Sequence, residues 1–388
     1  MTYPTISPKL TLDFANSRQL NPRIAFSRSS SATYRHPDTG LITTAPDDVA
    51  RFEKEGFLIE ESRTNFIPQS EDLSTTWFNG AATLDSAVVD PAGNTGTVYY
   101  LPASAERIIQ WDGGGASSVF VSVFIKQNAE ESSTHVLQVW QSGTFLGSVN
   151  CPLTGSFTPT GNYSEGTRIE YPNGWFKFTF KATGPGTFGT GSRLDTEQST
   201  NYTWGFQVEA GSFPTSYIPT SGSTVTRAAD VASITGTNFS DWYNQGEGTL
   251  VVTADTYDNN YTALPLAFIH QDGSNSYQFS YQSQTTYFPR VSAGDYTITV
   301  DPSANSSRDN CKIAGVYGPN SDGDFTAAVG VNGSSFERAS PLVPNVIAAT
   351  NLKIGSNHGN TLYANTHITR LSYYDRRVSD AALEVLTS

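Results

Sequence analysis

The sequence predicts a mostly antiparallel β protein with two sandwich domains, jelly-roll or lectin-like, and an irregular N-terminal arm. Three observations predict it. Short runs alternate apolar and polar residues along most of the chain, which sends successive side chains to opposite faces of a strand. Gly, Asn, Asp, Ser and Pro bound these runs as turn signals. Helical periodicity is scarce. The 388 residues suffice for two or three domains of about 100–200 residues each.

Residues 1–75 read as the irregular arm, because Pro4, Pro8, Pro22, Pro37, Pro46 and Pro68 interrupt them and no long alternating run is present. Such a segment is expected to dock on a neighbour or a sister subunit. Residues 76–235 read as the first sandwich. In Val119–Lys126 the odd positions form a β-branched face, and Phe176, Phe178 and Phe180 share one face with Lys177 and Lys181 on the other. Trp204, Phe206 and Val208 alternate with Gly205, Gln207 and Glu209. An extended stretch, Gly211–Thr220, then leads into Ser221-Gly222-Ser223-Thr224, which reads as a linker. Residues 236–388 read as the second sandwich, with strands around Leu250–Ala254, Tyr277–Tyr281 and Tyr296–Val300. One helix closes it. Ser379 is positioned to cap Asp380–Leu386, Asp380 sits at the positive end of the dipole, and Val378 is placed to staple onto Leu383.

Charge narrows the function classes. Lys and Arg total 23 and Asp and Glu 36, a net charge of −13. A chain this acidic is repelled by nucleic acid and by anionic membranes. No apolar run reaches the length of a membrane span, so no membrane insertion is expected. Met1–Thr5 carries neither a basic nor an apolar signal region, so synthesis in a cytoplasm is expected. The two cysteines, Cys151 and Cys311, are expected to be free buried thiols, with one long-range disulfide as the alternative.

Several blocks carry a resemblance. They are Ala25–Tyr34, Asp38–Ile42, Arg51-Phe52 and Gly56–Asn65, then Trp204–Glu209, Pro214–Thr220 and Thr226–Asp230. In order and spacing they resemble a module of tailed-bacteriophage structural proteins, where the region is a carbohydrate-binding-module-like jelly roll. Cys311–Tyr317, Val331–Gly333, Leu352–Gly355 and Ile368–Asp380 more loosely resemble concanavalin A-like or laminin G-like lectin domains. The resemblance implies a virion protein of tail-fibre or adhesin type, made in the host cytoplasm. Its implied partners are other virion proteins, sister subunits in a homotrimer and host surface polysaccharide. A capsid decoration or head-fibre protein, a glycan depolymerase and an extracellular lectin are the alternatives.

Arg28, Arg51 and Arg63 lie among Glu53, Glu55, Glu60 and Glu61. A guanidinium presents a planar fork to a carboxylate, so a structural ion-pair cluster is expected, centred on the three arginines with Glu60 and Glu61.

Catalytic signals are missing, and no enzyme is expected. Glycoside hydrolysis needs two facing carboxylates. Asp195-Thr196-Glu197 has the spacing but lies among Gly, Ser and Thr and reads as a turn, and Glu130-Glu131 would point to opposite faces. His36, His135, His270, His358 and His367 are scattered singly, without the spacing of a zinc pair. No cofactor is expected. Calcium is the one plausible ion, at Asn320, Asp322 and Asp324, although Phe325 and Val331 replace the glycine and glutamate of an EF-hand loop and a hairpin turn fits better.

Sugars present C–H faces that lie on aromatic rings and hydroxyls that suit amides and carboxylates. Trp242 and Tyr243 before Asn244-Gln245, Tyr257 and Tyr261 around Asp258-Asn259-Asn260, and Tyr281 before Gln282 have that make-up. These five aromatics are the candidate glycan contacts; the alternative is that they cap a core or fill a subunit interface.

Overall fold

The computed structural model describes residues 6–78, 80, 82–102, 106–128, 134–197, 200–255, 264–272, 276–281, 290–293, 296–299, 311–319, 325–331, 333, 337–339 and 347–388. The fold is mostly antiparallel β, as the alternation predicts. It divides into two compact units. The terminal unit comprises Met1–Ser30, Pro46–Glu61 and Ala229–Ser388, and the central unit comprises Ser31–Ala45 and Ser62–Ala228. Compactness therefore cuts the chain differently from divisions at 75 and 235. The opening residues form short strands that pair with strands remote in sequence, and they contribute to both units.

In the terminal unit, eight strands form one sheet. Glu337–Ala339, Phe325–Val331, Cys311–Pro319, Gly248–Ala254, Thr366–Tyr374, Gly56–Ile59 and Arg51–Glu53 follow in order, and Leu10–Asp13 also pairs with Thr366–Tyr374. A second sheet runs Ala25–Ser27, Val231–Thr235, Asn351–Ile354, Leu264–His270, Ser276–Tyr281. Leu250, Val252, Ile313, Ile368 and Leu371 from the first sheet meet Ile234, Ile269, Phe279, Leu352 and Ile354 from the second in one buried core. Period two explains the sandwich: each strand sends its apolar set inward. The helix Asp380–Thr387 forms as expected, with Ser379 Oγ accepting from Ala382 N at 3.3 Å. Val378, Leu383 and Leu386 join Val251, Ala314, Val316 and Tyr374 in an apolar cluster.

The central unit is a second sandwich. Its six-stranded sheet runs Tyr163–Tyr171, Trp175–Phe188, Ala116–Lys126, Tyr202–Ala210, Val98–Tyr100, Thr83–Asp85. Its four-stranded sheet runs Glu106–Trp111, Ser192–Glu197, Thr134–Gln141, Thr144–Pro152. Val119, Val121, Val123, Ile125, Phe178 and Phe180 face Ile109, Leu137, Val139, Val149 and Leu194 across the core. The other side of the six-stranded sheet is also covered. There Phe124, Trp175 and Trp204 pack with Ile42, Val98 and Tyr217.

Trp204 departs from the expected alternation. Phe206 and Val208 enter the main core, but Trp204 lies on the opposite face, 5.4 Å from Phe124 and 4.8 Å from Tyr217 between ring centroids. A bulge between Ser122/Gln207 and Phe124/Trp204 shifts the register, and Gly205 adopts φ +65 within it. A Cβ there would lie 2.9 Å from Phe124 Cδ2. The left-handed conformation and the contact both oppose a side chain. Gly205→Ala is expected to cost about 2–4 kcal/mol, read as a lower urea midpoint; an unchanged midpoint would show that the bulge is not needed.

Candidate functional site

The ion-pair cluster forms, but around a residue outside the expected set. Asp230 is fully buried and binds both Arg28 Nη1, at 3.0 Å from Oδ1, and Arg51 Nη2, at 2.5 Å from Oδ2. Its Oδ2 also accepts from Glu60 N at 2.9 Å, and Arg51 Nη1 donates to Glu60 Oε2 at 2.8 Å. Arg28 donates further to the carbonyls of Ser30 and Pro46. Burial opposes the Arg51 charge, but Asp230 and Glu60 outweigh it and raise its proton affinity. Arg28 is shifted down, because burial and the neighbouring Arg51 exceed what Asp230 returns. Glu61 instead accepts from Asn365 Nδ2 at 3.1 Å. Arg63 belongs to the central unit, 3.7 Å from Glu209 Oε2 with its guanidinium over Phe213. The Arg28 and Arg51 guanidiniums are buried against Asp230, Glu60 and backbone carbonyls, and that of Arg63 is buried beside Glu209.

Trp242 and Tyr243 are not glycan platforms. They are 5% and 8% exposed, and both belong to the core of the terminal unit. The turn Thr237–Ser240 folds them inward, Trp242 against Phe239 and Tyr373 and Tyr243 against Phe239 and Tyr317, and Trp242 Nε1 donates to Asn238 O at 2.7 Å. Tyr257 and Tyr261 lie outside the described residues, as do Glu130, Glu131 and the calcium candidates Asn320, Asp322 and Asp324. Tyr281 ends a strand of the five-stranded sheet.

Both cysteines are buried, and burial pushes the Cys151 thiol up. His367 pairs with Glu53, Nε2 to Oε2 at 3.2 Å. Burial works against its charge, yet the hydrogen bond and charge of Glu53, with Glu55 and Asp255, raise its pKa. Glu53, Glu55 and His367 bring three ligand-type atoms within 4.8 Å of one another, the one such group found among the described residues. His270 is buried, with the ring of His358 edge-on at 4.8 Å, and burial lowers its pKa to about 4.

A polar surface that the sequence did not reveal, among the described residues, is the outer face of the four-stranded sheet. Asp195-Thr196-Glu197 is not a turn but part of the strand Ser192–Glu197, held between two neighbours. Register places Asp195 beside Gln138 and Ile108, and Arg193 beside Trp140 and Gln110. Beyond them, Gln138 stands opposite Ser148, Val136 opposite Asn150, and Trp140 opposite Phe145. Residues directly opposite share a face, so these side chains form one surface. The intervening residues Leu137, Val139, Leu194, Ile109 and Val149 line the core.

Within this surface the Arg193 guanidinium lies 4.0 Å above the Trp140 ring, and Arg193 Nη2 donates to Asp195 Oδ2 at 2.8 Å. Phe145 packs on Trp140 at 4.9 Å and is 47% exposed. Gln110, Ser148 and Asn150 are exposed, and Gln138 is half-buried. Asp195 is fully buried beneath. Burial raises its pKa to about 6, while the Arg193 charge and the Trp140 indole N–H pull against the rise and Glu106 adds to it. The folded state therefore favours the protonated acid. That stabilising contribution is complete below the unfolded pKa near 3.8 and is lost as pH rises through about 6. Asp195→Asn is expected to flatten the pH dependence of unfolding between about 4 and 6, measured by urea titration at each pH. A slope unaltered by the substitution would contradict the assignment.

No protein-family model matches the chain, and no curated protein matches it. Solved structures do. The CBM40 module of the Ruminococcus gnavus IT-sialidase, bound to alpha2,6 sialyllactose, aligns at 13% identity and TM-score 0.31, covering 39% of this chain and 88% of that one. The Trypanosoma rangeli sialidase in complex with the inhibitor DANA aligns at 10% identity and TM-score 0.30, over 92% of this chain and 66% of that one. A bifunctional GH43-CE protein of Bacteroides eggerthii aligns at 8% identity and TM-score 0.26, over 92% and 62%. The expectation of a non-enzyme is corrected accordingly: sialidases stand among these structures, and a missing sequence motif does not exclude catalysis. At these TM-scores neither an activity nor a binding specificity carries over from them.

Proposed function

We propose that the protein binds glycan on the outer face of the four-stranded sheet, and that it does so as a receptor-binding subunit of a tailed-phage virion. The observation that carries the glycan reading is the composition of that face. Phe145 offers an exposed ring on the edge strand, Ser148 and Asn150 follow on the same strand, and Gln138 and Gln110 add amides from strands further across the face. A pyranose needs that pairing of an apolar platform with planar hydrogen-bonding partners. The equivalent side of the six-stranded sheet is filled by its own cluster. The virion setting rests on the resemblance of the Ala25–Tyr34, Gly56–Asn65 and Trp204–Asp230 blocks to phage structural modules. A homotrimer suits such a role, since several shallow sites on one particle add up to avidity. The purified protein is expected to bind host cells and to compete with phage adsorption. No competition at saturating protein overturns the adhesin reading, and antibody label spread over the capsid would assign the protein to the head instead.

A further inference from the structure

We infer that the glycan taken by this face is uncharged, an inference that rests on the reading just given. Arginine on a glycan-binding surface is ordinarily a receptor for the carboxylate of an acidic sugar. Arg193 is already committed. Its Nη2 is bonded to Asp195 at 2.8 Å, its plane lies on Trp140 at 4.0 Å, and Asp195 is fully buried. A sugar carboxylate that captured Nη2 would strip a buried carboxylate of its partner, the costly way to break a buried pair. No other described side chain aligned on this face carries positive charge, and Glu106, one register step from Ile108 and Asp195, adds a negative one. The whole chain adds a field of −13 against an acidic polymer. What remains for a ligand is neutral: the Phe145 ring, the Gln110, Gln138 and Asn150 amides and the Ser148 hydroxyl. Asp195 is thus a positioning residue that sets charge selectivity by holding Arg193 closed.

The full chain is tested against two sets of immobilised probes. The neutral set is mannan, galactan and β-glucan; the anionic set is polygalacturonate, hyaluronate and α2,6-sialyllactose. The expected result is binding to at least one neutral probe, at least tenfold weaker binding to every anionic probe, and about tenfold or greater weakening of the neutral binding in Phe145→Ala. Asp195→Asn, which removes the negative charge that holds Arg193, is expected to narrow the neutral-to-anionic ratio by at least threefold. Anionic probes bound as tightly as neutral ones, through contacts that Phe145→Ala abolishes, would overturn the charge selectivity and leave the glycan face standing. An unaltered ratio in a folded Asp195→Asn protein would remove Asp195 from its role. Binding that Phe145→Ala leaves intact, or no binding to either set, would overturn the glycan face itself and this inference with it.

Discussion

Asp230→Ala is expected to destabilise the terminal unit by about 3–5 kcal/mol, the usual cost of removing one partner from a buried ionic group. The size follows from what the substitution leaves behind. Arg28 and Arg51 are both essentially without solvent exposure, and Asp230 bonds to each. Glu60 would still hold Arg51, but the Glu60 backbone N–H would lose its acceptor as well. Arg28 would suffer most, because burial already lowers its proton affinity. The check is equilibrium denaturation of wild type and variant, followed by near-UV signals of the terminal-unit aromatics. A loss below about 1 kcal/mol, the range of an exposed pair, would show that the cluster is open to water and does not tie Arg28 and Arg51 to the strand Val231–Thr235 that follows Asp230.

Phe145→Ala is expected to weaken glycan binding by roughly tenfold or more, the scale of an aromatic anchor. Stability should change little, by about 0.5 kcal/mol, because the ring is 47% exposed, packed on Trp140. Gln138→Ala should weaken binding less, since it removes hydrogen bonds that water replaces in the free protein. The two outcomes together separate a binding surface from a folding defect. Lost affinity with an unmoved unfolding midpoint supports the face as the site; equal affinity in wild type and Phe145→Ala contradicts it.

Period-two alternation made most of the fold legible. Val119, Val121, Val123 and Ile125 face the core as the pattern requires, and the C-terminal helix starts at the serine that its sequence marks. What alternation does not encode is a bulge. Gly205 is read as one more polar position, while its φ of +65 turns Trp204 to the other face. The pairing of the opening strands was not legible either, because their partners lie far along the chain: Gly56–Ile59 pairs with Thr366–Tyr374. The same separation hid the hub of the ion-pair cluster, since Asp230 lies 170 positions from Glu60.

The candidate site failed to show for two different reasons. Trp242 and Tyr243, next to Asn244 and Gln245, have the composition of a sugar platform, but a turn that caps a core uses the same residues, and only burial separates the two. Asp195 was masked by its small, polar neighbours, which mimic a turn. Its strand is defined by pairing with Glu106–Trp111 and Thr134–Gln141, partners that lie more than fifty positions away. One signal was available. Arg193, Asp195 and Glu197 alternate with Leu194 and Thr196, a short charged face over a less polar one, as a half-buried strand would show.

Glycan bound on the outer face of the four-stranded sheet would shield the aromatic rings there from solvent. Hydroxyl-radical footprinting of the full chain, with and without saturating bound polysaccharide, tests it most directly. Protection of the Phe145 and Trp140 side chains is expected, with Trp242 and Tyr243 unreactive in both states because they are buried. Protection confined to the terminal unit, with Phe145 oxidised at the same rate in both states, would contradict it.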